Sequence, residues 1–315
     1  MATSMNGPVW RHLARLCRSR RVFQVSVCNV HSSRAENETY FGFEKVSAAE
    51  KSEQVYQVFE RVAKTYDLMN DAMTLGVHRL WKDYLLHKMN PYPGTQLLDV
   101  AGGTGDIAVR FISYVRSQRE RQLRRELKSK QNLSWQEIAE RYQQGDTGCL
   151  GGSQAVICDI NKEMLKVGKR KALDLGTSEG LSWVVGNAEE LPFMDDKFDF
   201  YTVAFGIRNV THIEQALQEA YRVLKPGGQF LCLEFSSVNN PLTSRLYDLY
   251  SFQVIPVIGE VIAGDWKSYQ YLVESIRRFP AQEEFKEMIE DAGFLKVTYS
   301  NLISGVVAIH SGFKL

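Results

Sequence analysis

The strongest constraint on the fold is a glycine-rich turn that joins two apolar segments. Residues 96–100 form a short apolar stretch, residues 101–105 read Ala-Gly-Gly-Thr-Gly, and apolar residues resume at Ile107. A strand that runs through a glycine turn into a helix is typical of nucleotide-binding domains. Glycine lets the backbone approach a ligand, and a helix N-terminus favours negative charge. The segment predicts an α/β sheet with a ligand site at the carboxyl end of its strand.

Strand-like and helix-like segments alternate after this turn. Four more strands are predicted, at 155–160, 181–187, 198–207 and 228–236. Helices are predicted between them at 161–175 and 212–224, which indicates a parallel, doubly wound sheet. The alternation ends with a helix at 283–294 and two strands in 295–315, which predict an antiparallel β-hairpin. This plan is typical of the α/β, seven-stranded, Rossmann-like class I methyltransferase fold and not of dehydrogenases.

The first 35 residues contain six arginines and no Asp, Glu or Lys. Since the whole chain carries +1, residues 36–315 carry −5. A basic, amphipathic segment without acids predicts a mitochondrial transit peptide over residues 1–40; a nucleic-acid-binding arm is the alternative. The acidic remainder gives no reason to expect nucleic-acid binding.

Residues 41–315 are predicted to form a single domain with three flanking parts. Helical spacing runs from Ser47 to about Lys88, a charged insertion occupies 113–153, and an aromatic-rich lid occupies 237–280. The longest apolar stretches, such as 252–263, fall short of the ~20 residues of a spanning helix, so no membrane crossing is expected. No cysteine pair has metal-ligand spacing, and no metal is expected.

The glycine turn alone leaves the cofactor open, because residues 103–108 also satisfy the dinucleotide fingerprint G-x-G-x-x-A. Three further features favour S-adenosyl-L-methionine. Asp99 precedes the glycines, where a carboxylate can meet the cationic amino-acid end of that cofactor. Asp159 ends the second strand and can accept from ribose hydroxyls, although dehydrogenases share this feature. After the third strand, residues 186–193 resemble the methyltransferase loop that holds adenine.

The predicted cofactor-binding residues therefore surround one sheet edge: Asp99, Gly103, Thr104, Gly105, Asp159, Asn187 and Ala188. The alternatives are a turn or capping acid at Asp99 and an ordinary turn residue at Asn187.

Three segments together resemble a known family: residues 66–82, residues 205–211 (Phe-Gly-Ile-Arg-Asn-Val-Thr) and residues 222–228 (Arg-Val-Leu-Lys-Pro-Gly-Gly). The chain resembles the ubiquinone/menaquinone biosynthesis C-methyltransferases over residues 45–315, although serine is more usual at Thr74. The resemblance implies C-methylation of 2-methoxy-6-polyprenyl-1,4-benzoquinol by S-adenosyl-L-methionine in ubiquinone biosynthesis. It also implies a place on the matrix side of the mitochondrial inner membrane, as a peripheral protein in a complex of ubiquinone-biosynthesis proteins. A homodimer is a further expectation.

Methylation at carbon needs a group that removes or stabilises charge at a quinol hydroxyl. Arg208, directly after the fourth strand, is the first candidate, although it could serve only in a structural ion pair. Asp67, His78 and Tyr66 are further candidates for proton acceptance or ring positioning; His78 could equally pack among helices. Lid residues could line a groove for the polyprenyl tail or simply pack: Tyr247, Tyr250, Phe252, Ile255 and Trp266.

Two alternatives of different kinds remain at this stage. A nicotinamide-dependent dehydrogenase could use the same glycine turn, but the adenine loop and the terminal hairpin argue against it. A methyltransferase-like scaffold subunit could hold other enzymes together, but the intact cofactor motif argues against a purely structural role.

Overall fold

The computed structural model describes residues 38–129, 150–238 and 240–315. The central element is a seven-stranded sheet whose strands lie in the order β5-β4-β3-β6-β7-β9-β8. The strands are β3 (Gln96–Val100), β4 (Gln154–Asp159), β5 (Leu181–Val185), β6 (Phe198–Ala204), β7 (Leu224–Phe235), β8 (Leu295–Leu302) and β9 (Val307–Phe313). Strands β3 to β7 pair in parallel, whereas β9 runs antiparallel to both β7 and β8. This arrangement confirms the class I methyltransferase fold and its terminal hairpin.

Helices cover both faces of the sheet. They are α1 (Ala48–Val62), α2 (Tyr66–Thr74), α3 (Val77–Met89), α4 (Asp106–Ser129), α5 (Lys162–Asp174), α6 (Ile213–Val223), α7 (Pro241–Leu249), α8 (Ile255–Ala263), α9 (Trp266–Arg278) and α10 (Gln282–Asp291). Successive residues of β3 point to opposite faces, so Leu97 packs with Phe111 of α4 while Leu98 packs with Phe230 and Leu217. The sheet is therefore buried on both sides and can present ligands only at its strand ends.

The predicted helical region 47–88 is three helices and not one. Ser47 and Glu50 form a reciprocal capping box that starts α1. Leu75 and Gly76, both at positive φ (+49° and +76°), then separate α2 from α3. A short antiparallel pair that the sequence did not indicate, β1 (Glu38–Phe41) with β2 (Glu44–Ser47), precedes α1, so the described unit begins at Glu38.

The lid region 237–280 is helical where it is described. Helices α7 and α8 join through a π-helical turn, Tyr250–Val254, into one helix from Pro241 to Ala263. Pro256 lies just after that turn, and proline offers no amide hydrogen to a regular helix, which accounts for the altered spacing. By length and composition alone this helix could cross a membrane. The expectation that every apolar stretch falls short was therefore wrong for this segment.

Two other expectations concern residues outside the described ranges. The predicted transit peptide falls almost entirely within residues 1–37, and residues 130–149 make up half of the predicted insertion. The first part of that insertion continues α4 to Ser129. Two strand boundaries also differ: β6 ends at Ala204, before a 3-10 turn at Ile207–Asn209, and β7 begins at Leu224.

Candidate active site

The glycine turn packs tightly against its neighbours. A Cβ at Gly105 would lie 2.7 Å from the Trp183 ring, and one at Gly102 would lie 2.7 Å from the Ile157 side chain. Gly103 and Gly105 also have positive φ (+53° and +76°), which side chains rarely tolerate. The turn thus needs glycine both for space and for conformation.

Asp159 holds this turn in place. Its Oδ2 accepts from the Gly103 amide at 2.8 Å, and its Oδ1 accepts from the Asn161 amide at 2.8 Å. Burial raises the pKa of its carboxyl, and the two backbone donors oppose that rise. The carboxylate lies at the end of β4, where its remaining lone pairs can accept from a ligand hydroxyl.

A cavity of about 260 Å³, the turn cavity, opens beside these groups. Four residues of the predicted cofactor site line it, namely Gly103, Asp159, Asn187 and Ala188, together with Ile160, Asn161, Met164 and Glu189. Asn187 is also a turn residue, since its Oδ1 accepts from the Glu189 amide at 3.1 Å. The strand ends of β3, β4 and β5 therefore converge on one site.

Asp99 lies beneath the turn and is not among the residues that line the cavity. It is 1% exposed, and its Oδ1 accepts from the Thr202 hydroxyl at 2.8 Å. Its Oδ2 is buried without a hydrogen-bond partner in the described residues. Burial raises its pKa to about 7. A buried carboxylate oxygen without a partner suits the cationic end of S-adenosyl-L-methionine, reached directly or through water.

Thr104 and Gly105 also belong to the turn without lining the cavity. The Thr104 hydroxyl donates to Asp67 at 3.2 Å, and the other oxygen of Asp67 accepts from Lys171 at 2.7 Å. Asp67 is half-exposed and lines neither of the cavities described here. Its position therefore corrects the expectation of a proton acceptor, because its carboxylate supports the turn from outside.

A second cavity of about 300 Å³, the apolar cavity, adjoins the first. Helices α1, α2 and α3 form one wall, and the lid helices form another with Tyr247, Tyr250 and Ile255; Phe252 and Trp266 do not line it. Four residues line both cavities: Phe59, Tyr66, Phe205 and Asn209. The two cavities therefore adjoin along this shared wall.

The shared wall is positioned by contact between two loops. A Cβ at Gly206 would lie 2.5 Å from the Ala101 Cβ, so the loop after β6 rests on the glycine turn. Phe205 and Ala101 both have positive φ (+58° and +51°). Backbone in this region costs about 1–3 kcal/mol per residue and is found at functional sites more than elsewhere.

Arg208 lines the apolar cavity and is also held in a buried ion pair. Its guanidinium donates to Glu234 at 2.8 Å, to the Phe205 carbonyl at 2.6 Å and to Ser275 at 3.3 Å. Burial raises the pKa of Glu234, and the nearby positive charge of Arg208 opposes that rise. The ion pair expected for Arg208 is therefore present, and the guanidinium also lies at the wall of the cavity. Glu234 is not among the residues predicted from the sequence, although an acid near the end of an otherwise apolar strand was a usable signal.

His78 also lines the apolar cavity. Its Nε2 lies 2.9 Å from Asp71 Oδ1, and its Nδ1 is buried without a partner in the described residues. Burial lowers the pKa of His78, whereas hydrogen bonds from Arg79 and His78 lower the pKa of Asp71 to about 2. A neutral imidazole that donates from Nε2 to Asp71 carries its free lone pair on Nδ1.

Within residues 38–129, 150–238 and 240–315, no three His, Cys, Asp or Glu side chains are grouped to hold an ion. Cys158 and Cys232 are buried free thiols.

Comparison with known proteins identifies the family of this chain. The ubiE/COQ5 methyltransferase family model matches residues 47–314. A human protein named mitochondrial 2-methoxy-6-polyprenyl-1,4-benzoquinol methylase is 76% identical over 278 residues, which cover 88% of this chain and 85% of the relative. The Xenopus laevis protein of the same name is 70% identical over 301 residues, which cover 96% and 97% of the two chains.

A solved structure supports the fold independently. An S-adenosylmethionine-dependent methyltransferase from Thermotoga maritima aligns with a TM-score of 0.51 at 19% identity, covering 83% of this chain and all of the other. The family model and the relatives at 70–76% identity show that the protein is an enzyme that uses S-adenosyl-L-methionine, so the dehydrogenase alternative is wrong. On the same two comparisons, this chain belongs to the ubiE/COQ5 methyltransferase family.

Proposed function

We propose that the enzyme transfers a methyl group from S-adenosyl-L-methionine to a ring carbon of 2-methoxy-6-polyprenyl-1,4-benzoquinol, a step of ubiquinone biosynthesis. The observation that carries this proposal is the wall of four residues that the turn cavity and the apolar cavity share. It brings a site suited to a charged nucleoside next to a site suited to an apolar ring. The relatives' names supply the identity of the ring.

The turn cavity holds the cofactor. Asp159 accepts from its ribose, Asn187 and Ala188 flank its adenine, and the buried Asp99 balances its amino-acid end, with Gly103, Thr104 and Gly105 forming the cradle. Bound there, the cofactor supplies an electrophilic methyl group on a sulfonium. The residues of the chain need only align the acceptor, exclude water and manage one proton.

Arg208 stabilises the negative charge that develops on a quinol oxygen. Arginine keeps its proton, so it acts through charge and not as a base. Its ion pair with Glu234 and its bond to the Phe205 carbonyl fix the guanidinium at the cavity wall. Deprotonation of the hydroxyl raises the electron density on the ring. The ring carbon would then attack the methyl carbon, S-adenosylhomocysteine would leave as a neutral thioether, and loss of the proton from the methylated carbon would restore the aromatic ring.

His78 is the proton acceptor best placed at the apolar cavity. The Asp71 carboxylate holds its Nε2, which leaves the Nδ1 lone pair available. Tyr66, between the two cavities, positions the ring. This assignment replaces Asp67, whose carboxylate holds Thr104 and Lys171 instead.

The setting of the reaction is also a proposal. We place the enzyme in the mitochondrion, since the relatives are named mitochondrial, with residues 1–40 as the transit peptide and 41–315 as the methyltransferase domain. A polyprenyl substrate favours peripheral contact with the matrix side of the inner membrane. Assembly with other ubiquinone-biosynthesis proteins is what the family resemblance implies, and a homodimer is a further proposal.

Transfer of isotope tests this function. The enzyme is incubated with methyl-labelled S-adenosyl-L-methionine and a short-tailed methoxy-benzoquinol kept reduced. The expected product carries the label on a ring carbon. A label on oxygen, or turnover that depends on a nicotinamide cofactor, would contradict the assignment.

A further inference from the structure

The helix from Pro241 to Ala263 has two different faces. Its outer face carries apolar side chains that are exposed over its whole length: Leu242 (70%), Leu246 (62%), Leu249 (60%), Val257 (46%) and Val261 (79%). They recur at three or four residues, with one longer step across the π turn. At 1.5 Å per residue, the stretch from Leu242 to Val261 extends for about 30 Å. Contiguous exposed apolar surface of this kind marks a binding surface.

The inner face of the same helix builds the apolar cavity. Tyr247, Tyr250 and Ile255 line the cavity, and the Tyr250 hydroxyl donates to the Met73 carbonyl at 2.8 Å. A Cβ at Gly259 would lie 2.2 Å from the Tyr269 side chain, so α8 packs closely on α9. The outer face is therefore attached rigidly to the wall of the substrate site.

The apolar cavity is too small for a long isoprenoid. About 300 Å³ is the lower limit for pockets that enclose a drug-sized molecule. A quinol ring would occupy most of it, and a polyprenyl tail must emerge. Leu75 and Ile303 line this cavity although they are 87% and 53% exposed, which provides an apolar exit.

The charges beside the outer face favour an anionic partner. Arg245 on this helix and Lys267 on α9, just beyond its C-terminal end, are exposed and have no acidic partner among the described residues. Of the nearby acids, Asp248 pairs with Arg277 and Asp265 pairs with Arg61, whereas the exposed Glu260 accepts from the Trp266 amide and keeps its negative charge. Trp266, the first residue of α9, is 42% exposed, as is common for residues at a lipid interface.

We infer that the outer face of helix 241–263 lies on the surface of an anionic phospholipid bilayer, and that the quinol enters the apolar cavity from that surface. The helix lies in the interface and does not span it, because its inner face is packed on the protein. This inference rests on the proposed function for the polyprenyl tail, whereas the vesicle binding that it predicts is measured without any substrate.

Vesicle sedimentation of the full chain tests the surface. Vesicles contain phosphatidylcholine with or without cardiolipin, and the variant is Leu246→Glu with Val261→Glu. Neither residue lines the cavity. The matched control is Leu173→Glu with Leu175→Glu, two exposed leucines of helix α5 and its end. We expect the helix variant to lose at least tenfold in binding to cardiolipin vesicles, and the control to bind as the parent does. Arg245→Gln with Lys267→Gln should weaken binding to cardiolipin vesicles only.

Activity separates this inference from the proposed function. The helix variant should methylate a soluble short-tailed quinol at the parent rate, and a long-tailed quinol in vesicles at least tenfold more slowly. If the parent methylated neither quinol, the proposed function would be refuted. The membrane-surface inference would stand, because vesicle binding is measured separately. The inference would be overturned if the helix variant bound vesicles as well as the parent does. If, in addition, the parent were a dimer and the helix variant a monomer, the inference would also be overturned. The second result would show that another copy of the chain covers this face.

Discussion

The two cavities are built in opposite ways. The turn cavity is formed by the ends of neighbouring parallel strands, and its polar contacts are largely backbone groups held by Asp159 and Asn161. The apolar cavity is formed by helices from distant parts of the chain, with a few side chains such as Arg208 and His78 supplying polarity. Binding of a cofactor common to many enzymes thus resides in the sheet, and substrate identity resides in elements added around it.

Arg208→Gln should have the largest effect on catalysis. It should affect the apolar cavity and leave cofactor binding in the turn cavity unchanged. Loss of the guanidinium removes charge stabilisation, so kcat should fall by about 100-fold or more. Affinity for S-adenosylhomocysteine, measured by calorimetry, should stay within about threefold. The variant also leaves Glu234 buried without its partner, which costs about 3–5 kcal/mol of stability.

Two further variants distinguish a loss of catalysis from a loss of stability. Adding Glu234→Gln should recover stability and not kcat. Arg222→Gln removes another ion-paired arginine that lines neither cavity, and its kcat should stay near that of the parent. Normal turnover by Arg208→Gln would show that the ion pair is structural only.

Gly105→Ala should impair ligand binding in the turn cavity. The added Cβ would meet the Trp183 ring at 2.7 Å, so the cradle must shift. We expect a loss of about 100-fold in affinity for S-adenosylhomocysteine, seen as a missing thermal shift with that ligand. Gly176→Ala is the matched control, since Gly176 also has positive φ (+65°) but no atom within 4 Å of its Cβ. Equal losses in the two variants would mean that backbone strain, and not the fit of the cradle, is responsible.

His78→Asn tests the apolar cavity through the pH dependence of kcat/KM. Burial lowers the pKa of His78 below 6.5, so the neutral base persists at neutral pH and is lost only under more acidic conditions. The parent's kcat/KM should therefore fall as the pH drops below 6.5, and the variant should be about tenfold slower without that acid limb. Asp71 raises the pKa of His78 through their hydrogen bond. Asp71→Asn should consequently move the acid limb to lower pH, and an unmoved limb would assign it to another group.

Asp67→Asn should have the smallest effect. Its half-exposed pair with Lys171 contributes about 0–1 kcal/mol, and it lines neither cavity. We expect kcat to change less than about threefold, with a small fall in melting temperature. A fall of tenfold or more would restore Asp67 as a direct participant.

The sequence is most informative where the chemistry is local. The glycine turn, Asp159 and Asn187 each follow a strand, so their meeting follows from the parallel sheet alone. The apolar cavity depends on long-range packing, which spacing does not reveal. One example is the break between helices at Leu75 and Gly76. Another is the buried partner of Arg208: Glu234 is 26 residues away in sequence and reaches Arg208 only because β7 pairs with β6.

Asp67 shows that the sequence also does not reveal the direction in which a side chain points. It lies within a helix whose neighbours line the apolar cavity, and Tyr66 next to it lies between the two cavities. Only the rotation of α2 about its axis decides that the carboxylate points to Thr104. A motif therefore predicts which segment builds a site better than it predicts which side chain enters it.

The most direct test is a crystal structure of the enzyme with S-adenosylhomocysteine and a short-tailed methoxy-benzoquinol bound together. We predict the nucleoside against Asp159 and Asn187 in the turn cavity, and the quinol ring beside Arg208, on opposite sides of the wall of Phe59, Tyr66, Phe205 and Asn209. A nucleoside seated elsewhere, or a ring too far from its sulfur for direct transfer, would contradict the account.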